Sequence, residues 1–233
     1  MENYPNFTTP QQVQLEQAAF ITRVYYWMAA ALGLTGLTSM FVVSSENLLY
    51  AIASNQILFY GLIIGEIGLV MFLTSRVHKM TAQNAMIMFL TYSILNGITL
   101  SVIFLIYTAE SIASTFFITA GTFAGMSAYG YYSKKDLTKI GNIVLMAICG
   151  LILASIVNIF LNSSALYWIS TFAGVIIFTA LTAYDTQKIK NLSMYGAQAT
   201  DEGKKLAIMG ALTLYLDFIN LFLHLLRIFG RRR

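Results

Sequence analysis

Charge is what this sequence has least of. Asp, Glu, Lys and Arg make up 10% of its 233 residues, against about 25% in a soluble domain, and that shortage excludes an ordinary water-exposed surface. The single cysteine, Cys149, lies in an apolar run, leaves no intrachain disulfide to form and reads as a small hydrophobe. Two histidines, His78 and His224, are too few for a three-histidine zinc site, and no cofactor is expected. Both prolines, Pro5 and Pro10, precede the first apolar run, so no proline kink is expected in a membrane span.

What is abundant is apolar. Hydrophobic residues form 58% of the chain and the mean hydropathy is +0.69, the composition of an integral membrane protein. The net charge of +4 does not point to nucleic acid, because the basic residues sit in a few short loops and at the C-terminus. Residues 1–19, rich in Gln and Asn, read as a flexible cytoplasmic tail with no basic, cleavable leader. Residues 20–233 read as a single all-α membrane domain of seven transmembrane helices. The spans expected are Val24–Val43, Ile57–Thr74, Ala85–Tyr107, Ile112–Tyr132, Ile140–Leu161, Ala165–Tyr184 and Leu206–Phe229, each long enough to cross. Small residues at Gly61/Gly65/Gly68, Gly121/Gly125 and Ala173/Gly174 have the spacing that lets helix backbones approach.

Loop charge sets the orientation. Arg76 and Lys79, then Lys134, Lys135 and Lys139, then Lys188, Lys190, Lys204 and Lys205 alternate with the loops 44–56, 108–111 and 162–164, which hold no Lys or Arg. The positive-inside rule then places the N-terminus in the cytoplasm. The tail Arg231-Arg232-Arg233 opposes this reading, because seven full crossings leave it outside. The last run either crosses or re-enters and returns.

That last run carries the chemistry. Gly210, Thr213, Asp217, Asn220, His224 and Arg227 fall within roughly one 100° sector of a helix, a polar seam that cannot face lipid, since a mid-bilayer carboxylate costs at least ~2.5–3.5 kcal/mol. A second site is Asp185, followed by Thr186, Gln187 and Lys188 at the end of the sixth run. A third is Glu66 within the second run, with Arg76 near that helix's end.

Two carboxylates in a low-dielectric site cannot both ionise cheaply. An Asp185–Asp217 pair would hold a proton at low pH and lose it near neutrality, altering helix packing. Unprotonated, it would also offer oxygen ligands to a passing Ca²⁺. The two acids meet only if helix six continues through Asp185 and helix seven begins near Gly210. The plainer alternatives are an interfacial carboxylate at Asp185, a structural hydrogen-bond hub at Asp217, an interhelical donor at Glu66 and a packing histidine at 224. Gly125-Met126-Ser127-Ala128 with His224 has a faint look of an intramembrane serine protease, but lacks a final glycine and an oxyanion cluster. No enzyme is expected.

Ala183-Tyr184-Asp185-Thr186-Gln187-Lys188 and the run from Gly210 to Phe222 around Asp217 resemble the two late motifs of the Bax inhibitor-1 family, the transmembrane Bax-inhibitor-motif proteins. The similarity covers nearly all seven spans and is strongest to bacterial inner-membrane members. It implies a seven-helix fold with the last helix central and a pH-sensitive Ca²⁺ leak, in which aspartates at positions resembling Asp185 and Asp217 act as proton sensor. Glu66 and Arg76 resemble that family's helix-two pair.

The expectation is a passive Ca²⁺ leak of the bacterial inner membrane, gated by protonation of Asp185 and Asp217. Arg76 would be its latch, Glu66 a pathway group, and Thr213, Asn220, His224 and Arg227 a secondary polar seam. Its partners would be Ca²⁺, protons and the lipid bilayer. The alternative is a non-transporting regulator that acts through contacts with membrane quality-control proteins, its seam serving assembly alone.

Overall fold

Apolar runs of this length bury their backbone polar groups within their own helices, since the bilayer offers no other partner. The computed structural model describes residues 10–193 and 200–233, with side chains from residue 15 onward, and the elements in that range are helical. They are α1 (Pro10–Val43), α2 (Glu46–Ser54), α3 (Gln56–Arg76), a 3₁₀ turn (Val77–Lys79), α4 (Ala82–Leu100), α5 (Ile103–Ile106), α6 (Ala109–Tyr132), α7 (Thr138–Leu161), α8 (Ser164–Leu192) and α9 (Asp201–Phe229). Six stretches among the described residues are long and apolar enough to cross a membrane: Leu15–Val43, Gln56–Lys79, Ala82–Ile106, Thr138–Leu161, Ser164–Leu192 and Asp201–Phe229. This is an integral membrane protein. Expected span four becomes α6, of 24 residues, which is not among the six. Its buried face carries Ser111, Thr115, Thr119 and Ser127, and those hydroxyls lower its hydropathy.

Several boundaries differ from the sequence reading, each for a local reason. The first helix starts at Pro10, so residues 10–19 are helix rather than tail; proline is tolerated at a first helical position. Residues 1–9 lie outside the described residues. The segment 44–56 is not simply a loop: it holds α2, which buries Leu49 and Ile52 beside Val42, with Phe59, Leu62 and Ile98 packed against them. Expected span three breaks after Leu100, where the Ser101 hydroxyl donates back to the Ile98 carbonyl at 2.6 Å and competes with the helical ladder.

Helix ends are set by side chains. Asn55, Thr81 and Thr108 accept the amides of Leu58, Asn84 and Ser111, which satisfies donors that a helix start leaves free. At the end of α7, Asn162 adopts φ 48°, a left-handed conformation that Asn tolerates better than most residues.

The contacts gather into two compact units, one reaching to Ile106 and resuming at Asn191–Tyr215, the other Tyr107–Lys190 with Leu216–Arg233. The first is built on α1 against α4. Gly97 makes that approach possible, since a Cβ there would lie 2.6 Å from the Thr35 carbonyl oxygen. The second is built on α6, α8 and the C-terminal half of α9, with Phe116 and Phe123 of α6 packed edge-on against Phe218 at 5.4 and 5.5 Å. In this unit Gly130 rests on the Ala183 carbonyl and Gly174 on the His224 ring.

Of the glycines picked out by spacing, Gly174 is a packing glycine and the others are not. Gly61, Gly65, Gly68, Gly121 and Gly125 face open space, because α3 and α6 turn those sides outward. Cys149 is likewise exposed, on α7. Of the six apolar stretches α9 is the most enclosed, with 67% of its core window buried against 11–39% for the others.

The last run does not double back. It forms one unbroken helix of 29 residues, about 43 Å long at 1.5 Å per residue, so the re-entrant alternative lacks the turn it needs. Beyond it, the Arg231 carbonyl accepts the Thr108 amide at 2.9 Å and Arg232 bridges Tyr107, fastening the arginine tail to the start of α6.

Candidate functional site: a buried acid pair in the second unit

The sixth apolar run does not stop at its polar end. α8 continues about two turns past Asp185 to Leu192, and its last turns are clamped from outside. Gln187 accepts the Leu137 amide at 2.9 Å and donates to the Lys135 carbonyl at 2.9 Å. Lys190 donates to the Tyr131 carbonyl at 2.7 Å and lies over that residue's ring. Thr186 meets Ser127 of α6 at 3.4 Å. This end of α8 is therefore fixed against α6 and the α6–α7 connection.

Within the clamp Asp185 and Asp217 are both buried, at 7% and 5% exposure, and their carboxyl groups lie close enough to act directly on one another. An ionised carboxylate only accepts, so a bond between two of them requires a hydrogen on one. Asp217 Oδ2 has no hydrogen-bond partner among the described residues, an open valence inside the unit. Lys188, exposed on α8, is a cation whose charge acts on Asp185.

The rest of the proposed seam behaves unevenly. Thr213 and Asn220 turn back to their own helix, donating to the carbonyls of Met209 and Leu216 at 3.0 and 2.8 Å. His224 is buried, stacks on Phe178 with ring centroids 5.7 Å apart, and leaves Nδ1 without a hydrogen-bond partner among the described residues. Arg227 is exposed, with its guanidinium 5.5 Å from the Tyr167 ring centre. Arg76 ends α3 in the first unit and is exposed.

Glu66 anchors a separate network in the first unit. Its carboxylate accepts from Asn96 Nδ2 at 3.1 Å and Thr99 Oγ1 at 2.8 Å. Asn96 Oδ1 accepts the Tyr215 hydroxyl at 3.1 Å, and that hydroxyl meets Thr35 Oγ1 at 2.7 Å. Thr35 also reaches the Ala31 and Ser93 carbonyls, each at 2.9 Å. One buried chain of polar groups thus ties α1, α3, α4 and α9 together.

The sequence model for the family described as inhibitor of apoptosis-promoting Bax1 matches residues 17–233. The chain belongs to this Bax inhibitor family. It is 46% identical, over the full length of both chains, to inner membrane protein YbhL of Escherichia coli K12. It is 41% identical to a protein of Borreliella burgdorferi over 98% of each chain, and 44% identical to one of Rickettsia prowazekii over 92% of this chain and 90% of that one.

In this Bax inhibitor protein the sequence signal was strongest for the acids. Thr35, Asn96, Thr99 and Tyr215 were missed. Asn96 was the available clue, an amide in the middle of an apolar run where a buried polar group demands partners.

Proposed function

We propose that this Bax inhibitor family protein lets Ca²⁺ cross a membrane passively, and that the hydrogen shared by Asp185 and Asp217 sets whether the path is open. The supporting observation is the close approach of two buried carboxyl groups from α8 and α9. Removing the shared hydrogen leaves two adjoining carboxylates, which must separate or take up a cation.

The same two groups suit a cation in transit better than a stored one. Ca²⁺ takes six to eight oxygens, two carboxylates supply at most four, and no cluster of three or more His, Cys, Asp or Glu occurs among the described residues. Asp217, with one oxygen unpartnered, is assigned to the path. Asp185 holds the shared hydrogen, Arg76 acts as the latch of the closed form, and Glu66 is a path group.

In this reading α6 crosses the membrane as well, giving seven helices with α9 at the centre. The burial of α9 and the hydroxyl-lined inner face of α6 favour that arrangement. The lysines beside α8 mark the cytoplasmic end by the positive-inside rule, the N-terminus lies on that side, and the membrane is that of the E. coli relative's name, an inner membrane.

Purified protein in liposomes loaded with a Ca²⁺ indicator tests the proposal. Flux is expected to change with pH. Asp217→Asn keeps a donor beside Asp185 but cannot lose it by titration, so its flux should stay at the wild-type low-pH level throughout. Folded protein with no flux at any pH removes the leak reading and leaves a non-transporting regulator acting through protein contacts.

A further inference from the structure

A groove of about 880 Å³ opens in the first unit between the N-terminal ends of α4 and α9 and the flank of α1. Its lining pairs polar with apolar residues along each helix. Each helix gives the mouth a polar residue and, one turn further along, an apolar one: Arg23 then Trp27 on α1, Gln83 near Met86 on α4, Lys204 then Ile208 on α9. One turn is about 5.4 Å of rise.

The level of this groove in the membrane follows from the sequence of those helices. Arg23 directly precedes the uncharged run Val24–Val43 of α1, Ala82 opens the apolar stretch of α4, and Lys204 and Lys205 directly precede the run from Leu206 in α9. All three change from polar to apolar at the groove, so it sits where headgroups meet acyl chains. Tyr26, 68% exposed, and Trp27 beside it are the amphipathic rings favoured at that boundary.

The charge at the mouth favours an anion. Arg23 and Lys204 line it, with one acid, Asp201. That acid is already engaged: Oδ1 accepts the Ala82 amide at 3.1 Å, and Oδ2 lies 3.6 Å from Lys205 Nζ. The starts of α4 and α9 add the partial positive charge of two helix N-termini.

We propose that this groove binds one anionic phospholipid, with the phosphate of its headgroup at Arg23 and Lys204 and an acyl chain along Trp27, Met86 and Ile208. A polar mouth over an apolar floor fits an amphiphile, whereas a free anion would need only the mouth. The proposal is independent of any Ca²⁺ leak.

Native mass spectrometry of the detergent-solubilised full chain tests it, with phosphatidylglycerol and phosphatidylcholine of identical acyl chains as probes. Wild type should retain phosphatidylglycerol in preference to phosphatidylcholine. Arg23→Gln and Lys204→Gln should each weaken phosphatidylglycerol binding about fivefold, weaken phosphatidylcholine less so that the preference shrinks, and keep the wild-type unfolding temperature. Met86→Trp, which fills the floor and keeps the charges, should also lower phosphatidylglycerol retention, so the test does not hang on the charge variants folding. Equal retention of the two lipids by wild type, or wild-type preference in the charge variants, overturns the proposal. Displacement of phosphatidylglycerol by millimolar inorganic phosphate overturns it in favour of a soluble anion site.

Discussion

Tyr215→Phe removes one oxygen from the interior of the first unit and leaves the ring in place. The ring is fully buried, edge-on to Phe89 and Tyr92 at 5.7 and 5.8 Å, so its packing should survive. Thr35 loses one contact but keeps two backbone carbonyls within 2.9 Å, and its cost is small. Asn96 Oδ1 loses the hydroxyl that donates to it. An orphaned buried acceptor costs about 1–3 kcal/mol, while interhelical hydrogen bonds in membranes average about 0.6 kcal/mol. The expected loss is therefore about 1 kcal/mol, read as a shift of the unfolding midpoint in a detergent titration. A double-mutant cycle with Asn96→Ala should give a coupling of about 0.5–1 kcal/mol, because the two side chains share one bond. Additive losses would refute the network as a source of stability.

Three further outcomes follow from the geometry. Gly130→Ala drives a methyl into the Ala183 carbonyl; overpacking of this kind costs about 1–3 kcal/mol, and the shift of α8 should alter the pH profile of Ca²⁺ flux as well as the unfolding midpoint. Thr138 donates its hydroxyl and its amide to Asp136 at 2.6 and 2.9 Å, which holds that exposed carboxyl below the ordinary aspartate value. The stability it lends is present above the ordinary value and lost as pH falls through the lowered one, and Thr138→Val should move the Asp136 titration upward in a carboxyl-resolved NMR experiment. Asp217→Asn should hold flux at its low-pH level, as set out above.

The acids were legible in the sequence because a charge within an apolar run is costly enough to demand a reason. Asp217 and Glu66 stood out on that ground alone, and Asp185 through its polar neighbours. What joined Asp185 to Asp217 was the length of α8, which a hydropathy reading cuts short at Tyr184, because Asp, Gln and two Lys look like a loop. The Tyr215 network was hidden for the opposite reason: Thr, Asn and Tyr are cheap enough in a membrane helix to be there for local bonding. Thr213 and Asn220, drawn into the seam by their angle, bond to their own backbone, a choice that angle alone does not reveal. Glycine spacing misled in the same way. The regular series on α3 faces open space, while close contacts fall at Gly174, which was picked out, and at the isolated Gly97 and Gly130, which were not, because contact depends on the neighbour's side chain as well as on the repeat.

The sharpest test follows the hydrogen itself. Infrared difference spectroscopy across a pH step on the lipid-reconstituted protein should show a protonated-carboxyl band that is lost as pH rises, and that band should vanish in both Asp185→Asn and Asp217→Asn. A band unchanged by either substitution, or no such band at any pH at which the protein is folded, would contradict the shared proton on which the gating proposal is built.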